Sequence, residues 1–152
     1  MPLYIHAFAS FIASLCFCFL FSVPRKNIFL SAFCGAVSWT IVIFLQDNGM
    51  NYIFSTLISA LAVGFCSEVF AVIQKTPVTC FIVIGIIPLV PGFKIYKTML
   101  YFVRDKLDIG MTEGVQALFI AIAISIGLII SASVSRLIKI LQKKKFLHKG
   151  TL

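Results

Sequence analysis

The chain has 152 residues, of which 61% are hydrophobic and only 12% are charged, whereas a soluble globular domain carries about 25% charged residues. This composition excludes an ordinary water-soluble domain and indicates a protein that is surrounded mainly by lipid. The formal net charge is +8, but most basic residues lie between apolar runs or near the C-terminal end, so they indicate membrane orientation and not nucleic-acid binding.

Five apolar stretches follow one another along the chain. Runs of about 20 apolar residues are long enough to cross a ~30 Å hydrocarbon core. We therefore predict an all-α, polytopic protein with five transmembrane passages, the fourth broken between Pro88 and Gly92. A single integral membrane domain covers residues 1–152, with predicted spans over 3–22, 28–46, 52–73, 78–103 and 114–135 and a basic cytoplasmic tail over 136–152.

Two polar side chains stand out in the first three spans. His6 lies near the outer edge of the first span and is interpreted as an interfacial side chain. Glu68 is the only acidic residue within an apolar run. Ionisable groups inside a membrane tend to face the protein interior and to serve ion or proton paths, so Glu68 is a candidate proton-coupling residue. Because it lies near the cytoplasmic edge, a structural hydrogen bond or an interfacial anchor is the alternative.

The fourth span contains the sequence IIPLVPGFKIYKTM, residues 86 to 99. Pro88 and Pro91 each remove a donor from the helical hydrogen-bond ladder, and Gly92 permits a backbone turn that other residues resist. Freed backbone groups are costly in lipid unless protein or water satisfies them. We therefore expect the break to face a cavity or another helix.

The segment after the break has the periodicity of an amphipathic helix. Lys94, Lys97 and Arg104 fall on one side, with apolar residues on the other. Lysines together with the free N–H groups of a helix start form a plausible carboxylate site, as in transporters with discontinuous helices. The alternative is a kinked span followed by a helix that lies at the membrane interface, with its lysines solvated.

The last span carries small residues at intervals of four, which predicts close helix packing. Ordinary packing within the chain and an interface with another subunit are both compatible with this pattern. The small residues are Ala123, Gly127, Ser131 and Ser135, and Ala60 and Gly64 have the same spacing in the third span.

The basic loops predict the orientation of the chain. If Arg25, Lys26, Lys75 and the tail face the cytoplasm, five passages place the N-terminus and the loop with Asp47 outside. Four basic residues do not fit this simple rule and need another explanation: Lys94, Lys97, Arg104 and Lys106.

The sequence contains no motif for catalysis or metal binding. Its five cysteines lie inside apolar runs without C-x-x-C spacing, and no H-E-x-x-H pair is present. We therefore expect no metal, no cofactor and no enzymatic activity.

Three features together resemble the threonine/serine exporter family. They are the acidic residue in GFCSEVFAVIQKTP (64–77), the motif IPLVPG (87–92) followed by Tyr96 and Met99, and a last span rich in small residues. The similarity extends from about Val23 to Leu137.

This resemblance implies the short C-terminal half of a two-component bacterial exporter in the inner membrane. A second membrane subunit would carry the other half, and the substrate would be threonine, serine or a related small carboxylate. Together with the broken helix, the resemblance makes Glu68 the expected proton-coupling residue. The expected substrate-binding residues are Pro88, Pro91, Gly92, Lys94, Tyr96 and Lys97. The alternative function is a non-transporting membrane scaffold or assembly subunit, in which the prolines only shape a packing surface.

Overall fold

The computed structural model describes the backbone of residues 3–149 and the side chains of residues 3–138. The described part is helical: α1 (Leu3–Leu20), α2 (Ile28–Asp47), α3 (Tyr52–Gln74), α4 (Thr79–Ile86), α5 (Gly92–Val103) and α6 (Leu107–Lys149), with short 3-10 helices at Arg25–Asn27 and Ile87–Leu89. Four helices are long and apolar enough to cross a membrane, and the bent pair made by α4 and α5 allows a fifth crossing. The predicted all-helical membrane protein with a broken fourth passage is therefore confirmed.

Local capping fixes both ends of α3. The side chain of Asn51 accepts a hydrogen bond from the backbone N–H of Ile53 at 3.1 Å, which satisfies one of the free donors at the start of the helix. At the other end Lys75 adopts a left-handed conformation with φ of 51°, and its N–H donates to the carbonyl of Ala71. This geometry ends a helix by satisfying one of its last carbonyls.

Helices α3 and α6 pack closely through their small residues. A Cβ atom built on Gly127 would lie 2.8 Å from the Cβ of Ala60, and one built on Gly64 would lie 2.6 Å from the Cβ of Ser131. Each pair is separated by 67 positions in the sequence, so the two helices run parallel. The small residues of the last span thus serve packing within the chain.

Helix α2 occupies the centre of the bundle and contacts α1, α3 and α4. Ser10 of α1 donates a hydrogen bond to the carbonyl of Gly35 at 3.0 Å, and Cys18 donates to the carbonyl of Ile28 at 3.6 Å. Because later residues of α1 meet earlier residues of α2, these helices run antiparallel. On the other side, a Cβ on Gly85 of α4 would lie 3.3 Å from the Cβ of Cys34.

Two loops meet at one end of the bundle, which we call the basic end because it holds Arg25, Lys26 and Lys75. Lys26 donates to the carbonyl of Gln74 at 3.4 Å, and the side-chain amide of Asn27 donates to the hydroxyl of Thr76 at 3.1 Å. The turn between α2 and α3 lies at the other end, which we call the turn end. The predicted tail begins within α6, and its side chains from residue 139 onward lie outside the described residues.

The described part of α6 that contains its membrane span is longer than a hydrocarbon core is thick. It covers the 32 residues Leu107–Ile138, about 48 Å at 1.5 Å per residue, against a core of ~30 Å, and its first two turns carry Asp108 and Glu113. The register with α3 places Phe119 level with Tyr52, where α3 begins. The start of α6 therefore extends about 18 Å past α3 at the turn end, and α5 packs antiparallel against this extension.

Candidate functional site

The two prolines make the turn that breaks the fourth passage. The N–H of Val90 donates to the carbonyl of Ile87 at 3.3 Å, and the N–H of Gly92 donates to the carbonyl of Val90 at 2.8 Å. Pro91, between the last two, has φ of −76° and ψ of 48°, close to an inverse γ-turn. The helices on either side differ in direction by 46°.

Gly92 does not supply the conformational freedom that the sequence suggested. Its φ is not positive, and a Cβ atom at this position would meet nothing within 4 Å. The expectation that this turn needs a glycine is therefore wrong. Pro91 carries the turn, and Gly92 simply begins α5.

Pro88 faces a cavity of about 450 Å³ between α1, α2 and the 3-10 helix Ile87–Leu89. We call it the break cavity. Its polar lining consists of one imidazole, two hydroxyls and one indole, set among apolar side chains. The lining residues are His6, Ala9, Ser10, Ala13, Ser14, Phe17, Trp39, Ile87 and Pro88.

Ser14 lines the break cavity where α1 packs against Gly35 of α2. It is fully buried, and its Oγ has no hydrogen-bond partner among the described residues. A Cβ built on Gly35 would clash with this Oγ and would lie 3.4 Å from the carbonyl oxygen of Ile84. The hydroxyl and that carbonyl therefore lie near each other. Pro88 has no N–H, so it cannot provide the usual helical donor to Ile84.

The sequence analysis did not identify any of the four polar side chains of this cavity as site residues: His6, Ser10, Ser14 and Trp39. His6, interpreted from the sequence as an interfacial side chain, is half-buried and also lines the break cavity. The spacing of His6, Ser10 and Ser14, four residues apart, puts them on one face of α1. This polar stripe on an apolar span could have indicated a polar site on α1. The stripe does not show which other helices complete the site.

Lys94 and Lys97 lie at the contact between α5 and α6. The Nζ of Lys94 is 3.0 Å from Oε2 of Glu113, and the Nζ of Lys97 is 3.9 Å from Oε1 of the same carboxylate. Lys94 also donates to the side-chain carbonyl of Gln116 at 2.6 Å. The contacts with Glu113 and Gln116 give a structural reason for Lys94 and Lys97, two of the four basic residues that do not fit the positive-inside rule. Both partners lie on α6, so the sequence alone could not identify them.

The remaining predicted binding residues occupy different surroundings. Pro91 is buried beside the turn, whereas the side chain of Tyr96 is 61% exposed on α5. In the described part of the chain, the lining of the break cavity includes Pro88 but neither lysine. The structure thus separates the predicted binding residues into two groups. Pro88 and Pro91 lie at the break, whereas Lys94 and Lys97 surround Glu113 and form what we call the lysine cluster.

Glu68 lines a second cavity, of about 310 Å³, between α3 and α6 near the basic end. Ser135 lines the same cavity and lies 22 positions after Glu113 on α6. At 1.5 Å per residue, these positions are about 33 Å apart along the helix. Glu68 and the lysine cluster are therefore near opposite ends of the bundle. Within the described residues, no group of three or more His, Cys, Asp or Glu side chains is placed to hold a metal ion.

Most of this chain is similar to known proteins. The family described as Threonine/Serine exporter, ThrE, matches residues 6–134. A probable threonine/serine exporter of Mycobacterium tuberculosis (strain ATCC 25618 / H37Rv) is 21% identical over 131 residues, which are 86% of this chain and 25% of that protein. The chain thus spans about a quarter of the length of this relative. No solved structure matches. Because the family model matches most of the chain, residues 6–134, the chain belongs to the threonine/serine exporter family.

Proposed function

We propose that this chain is a membrane subunit of a secondary exporter for threonine, serine or a related small carboxylate, and that it works with a second membrane subunit. Membership of the exporter family supports the export role. The observation that carries the proposal is the break cavity, which brings polar side chains next to an interrupted helix in an apolar bundle. Secondary transporters commonly form their substrate sites at such interrupted helices.

Within this proposal, the break and the lysine cluster contribute to the substrate path at the turn end. Pro88, Pro91 and Gly92 shape the wall where the fourth passage changes direction. Lys94 and Lys97 face a single carboxylate, that of Glu113, so the cluster keeps an excess positive charge. That charge attracts a substrate carboxylate, and the exposed ring of Tyr96 lies on the same helix.

Glu68 is proposed as the proton-coupling residue. Its position near the basic end, far from the lysine cluster, suits a carboxylate that responds to protons on one side without touching the substrate on the other. We propose that the basic end faces the cytoplasm of a bacterial cell and that the N-terminus lies outside, in accordance with the positive-inside rule.

Reconstitution into proteoliposomes tests this function. The chain is inserted with and without the proposed second membrane subunit, and efflux of labelled threonine, serine or succinate is followed under an imposed pH gradient. Efflux is expected only when both proteins are present. Glu68→Gln is expected to remove the dependence on the gradient, whereas the control Asp108→Asn, at an exposed acid of α6, keeps it.

The outcomes separate the proposed roles. Unchanged gradient-dependent efflux in Glu68→Gln would remove the coupling role but leave export standing. Stable co-purification of the two proteins without flux of any tested substrate would instead support the scaffold function.

A further inference from the structure

We infer that His6 binds a proton beside Trp39 at the break cavity, so that the charge of this cavity changes with pH. The inference rests on the proposed export function and deepens it, because it adds to Glu68 a second proton-binding residue, located at the break itself. His6 is half-buried and lines the break cavity, and it is the only histidine among the residues whose side chains the structure describes.

The pairing of α1 with α2 places His6 opposite Trp39. Ser10 of α1 donates a hydrogen bond to the carbonyl of Gly35 on α2 at 3.0 Å. Because the two helices run antiparallel, the residue one turn before Ser10 meets the residue one turn after Gly35. These residues are His6 and Trp39, and both line the break cavity. The imidazole and the indole therefore lie close to each other at one end of this cavity.

His6 also lies at the depth of the broken passage. Trp39 comes eight positions before Asp47, the last residue of α2, so this level is about 12 Å inside the turn end. Pro88 lines the same cavity from the side of the break. Ionisable side chains at such depth are costly in lipid, so they face the protein interior or a water-filled cavity and commonly belong to ion or proton paths. The position of His6 on a cavity fits such a path.

The neighbours of His6 suit its protonated ring. Ser10 follows one turn later on the same face of α1. Its hydroxyl gives its hydrogen to Gly35, so its oxygen can still accept a hydrogen bond from an imidazole N–H. The face of an indole attracts a cation, and Trp39 provides one beside the imidazole. The cavity thus offers the charged form an acceptor and an aromatic ring.

Other ionisable groups lie away from this end of the cavity. Among the described residues that line the break cavity, His6 alone belongs to a type that changes charge between about pH 5 and 8. On the packed elements, Asp47 lies at the end of α2, Lys94 belongs to the lysine cluster, and Ile87–Leu89 carries no ionisable side chain. The phenol of Tyr4, on α1, is exposed. A change of charge in the cavity over this range therefore comes from His6.

Glu68 is too far away to share this proton. Ser59 of α3 donates to the carbonyl of Ser38 on α2 at 2.6 Å, which sets the level of Trp39 on α3. Glu68 comes nine positions after Ser59, about 14 Å nearer the basic end. Under the proposed orientation, His6 is therefore the nearer of the two residues to the outer side, and Glu68 is the nearer to the cytoplasm.

Trp39 makes the test direct, because it is the only tryptophan of the chain. A protonated imidazole quenches the fluorescence of an indole that it contacts, whereas the neutral ring quenches it less. The purified full chain is titrated across about pH 5–8 in phosphatidylcholine bicelles, which contain no other tryptophan. The emission is expected to rise in one step with increasing pH, because a histidine loses its charge in this range.

Two substitutions connect the step to His6. His6→Gln keeps a polar side chain but cannot bind the proton, so the step is expected to disappear. The matched control is His148→Gln, which removes the other histidine of the chain and is expected to keep the step. Carbon-13 NMR of histidine-labelled protein gives a second readout with an unaltered cavity. The signal that remains in His148→Gln belongs to His6 and is expected to titrate over the same range.

Several results would overturn the inference: wild-type emission that does not depend on pH, a step that survives in His6→Gln or disappears in His148→Gln, or a His6 signal that does not titrate in this range. The test separates from that of export, because it measures no transport. A step assigned to His6 without efflux supports the proton site and contradicts export. Gradient-driven efflux without any step supports export and contradicts the proton site.

Discussion

The packing of α3 against α6 predicts a pair of substitutions that should compensate each other. In Gly64→Ala, the new Cβ would lie 2.6 Å from the Cβ of Ser131 and would also clash with its hydroxyl. Ser131 is buried and its hydroxyl donates to the carbonyl of Leu128 at 2.9 Å, so the helices must separate. Overpacking of this kind costs about 1–3 kcal/mol, and the better helix propensity of alanine offsets up to about 1 kcal/mol. We expect a net loss of about 1–2 kcal/mol in the free energy of unfolding.

The second substitution restores the fit. In the double variant with Ser131→Gly, one Cβ atom has moved from α6 to α3, and the new methyl group occupies space that the serine left. We expect the double variant to be within about 0.5 kcal/mol of the wild type, so the coupling energy lies within the 0.5–3 kcal/mol seen for residues in contact. Unfolding in mixed micelles, followed by circular dichroism and by Trp39 fluorescence, provides the free energies.

Gly92→Ala is the matched control, because the same substitution there meets nothing within 4 Å and the backbone is not in the left-handed region. It is expected to be neutral or stabilising by up to about 1 kcal/mol. If Gly64→Ala is as stable as the wild type, or if Ser131→Gly fails to rescue it, the close α3–α6 contact is refuted.

Three further predictions concern the ends of the bundle. Asn51→Ala removes the cap of α3 and is expected to cost about 1 kcal/mol in unfolding free energy; an unchanged unfolding curve would contradict the role of the cap. Glu113→Gln removes the carboxylate that holds two lysines and is expected to weaken the contact of α5 with α6 by about 1 kcal/mol, since the pair is partly exposed; faster hydrogen exchange in α5 but not in α2 measures this effect, and equal exchange rates refute it. The proposed orientation predicts that a membrane-impermeant maleimide added to intact cells labels Asn48→Cys but not Arg25→Cys. The native cysteines all lie within membrane helices, so the wild type is the background control, and the reverse pattern inverts the orientation.

The sequence predicted those features that depend on local chemistry. Apolar runs of sufficient length identify the membrane passages, and the two prolines identify the break, because a missing N–H acts wherever the helix lies. The role predicted for Gly92 was wrong for a related reason. A glycine permits an unusual turn but does not require one, and here the neighbouring Pro91 makes the turn.

The contacts across the bundle could not be predicted in the same way. The approach of α1 to the break, which places His6 beside Pro88, depends on how antiparallel helices are paired. The partnership of Lys94 with Glu113 depends on the packing of α5 against α6. By contrast, the separation of Glu68 from the lysine cluster agrees with the predicted orientation, because five alternating passages make the third and fifth spans parallel and place Glu68 near the cytoplasmic edge, away from the lysines.

The length of α6 has a consequence for how the protein sits in different membranes. A straight helix of about 48 Å would need a tilt of about 50° to fit within a ~30 Å core, beyond the range of about 0–40° seen for transmembrane helices. The end that leaves the core is the start of α6, because its first turns carry Asp108 and Glu113. The α5–α6 hairpin should therefore extend into the headgroup layer, and it should be drawn deeper into bilayers made from longer acyl chains.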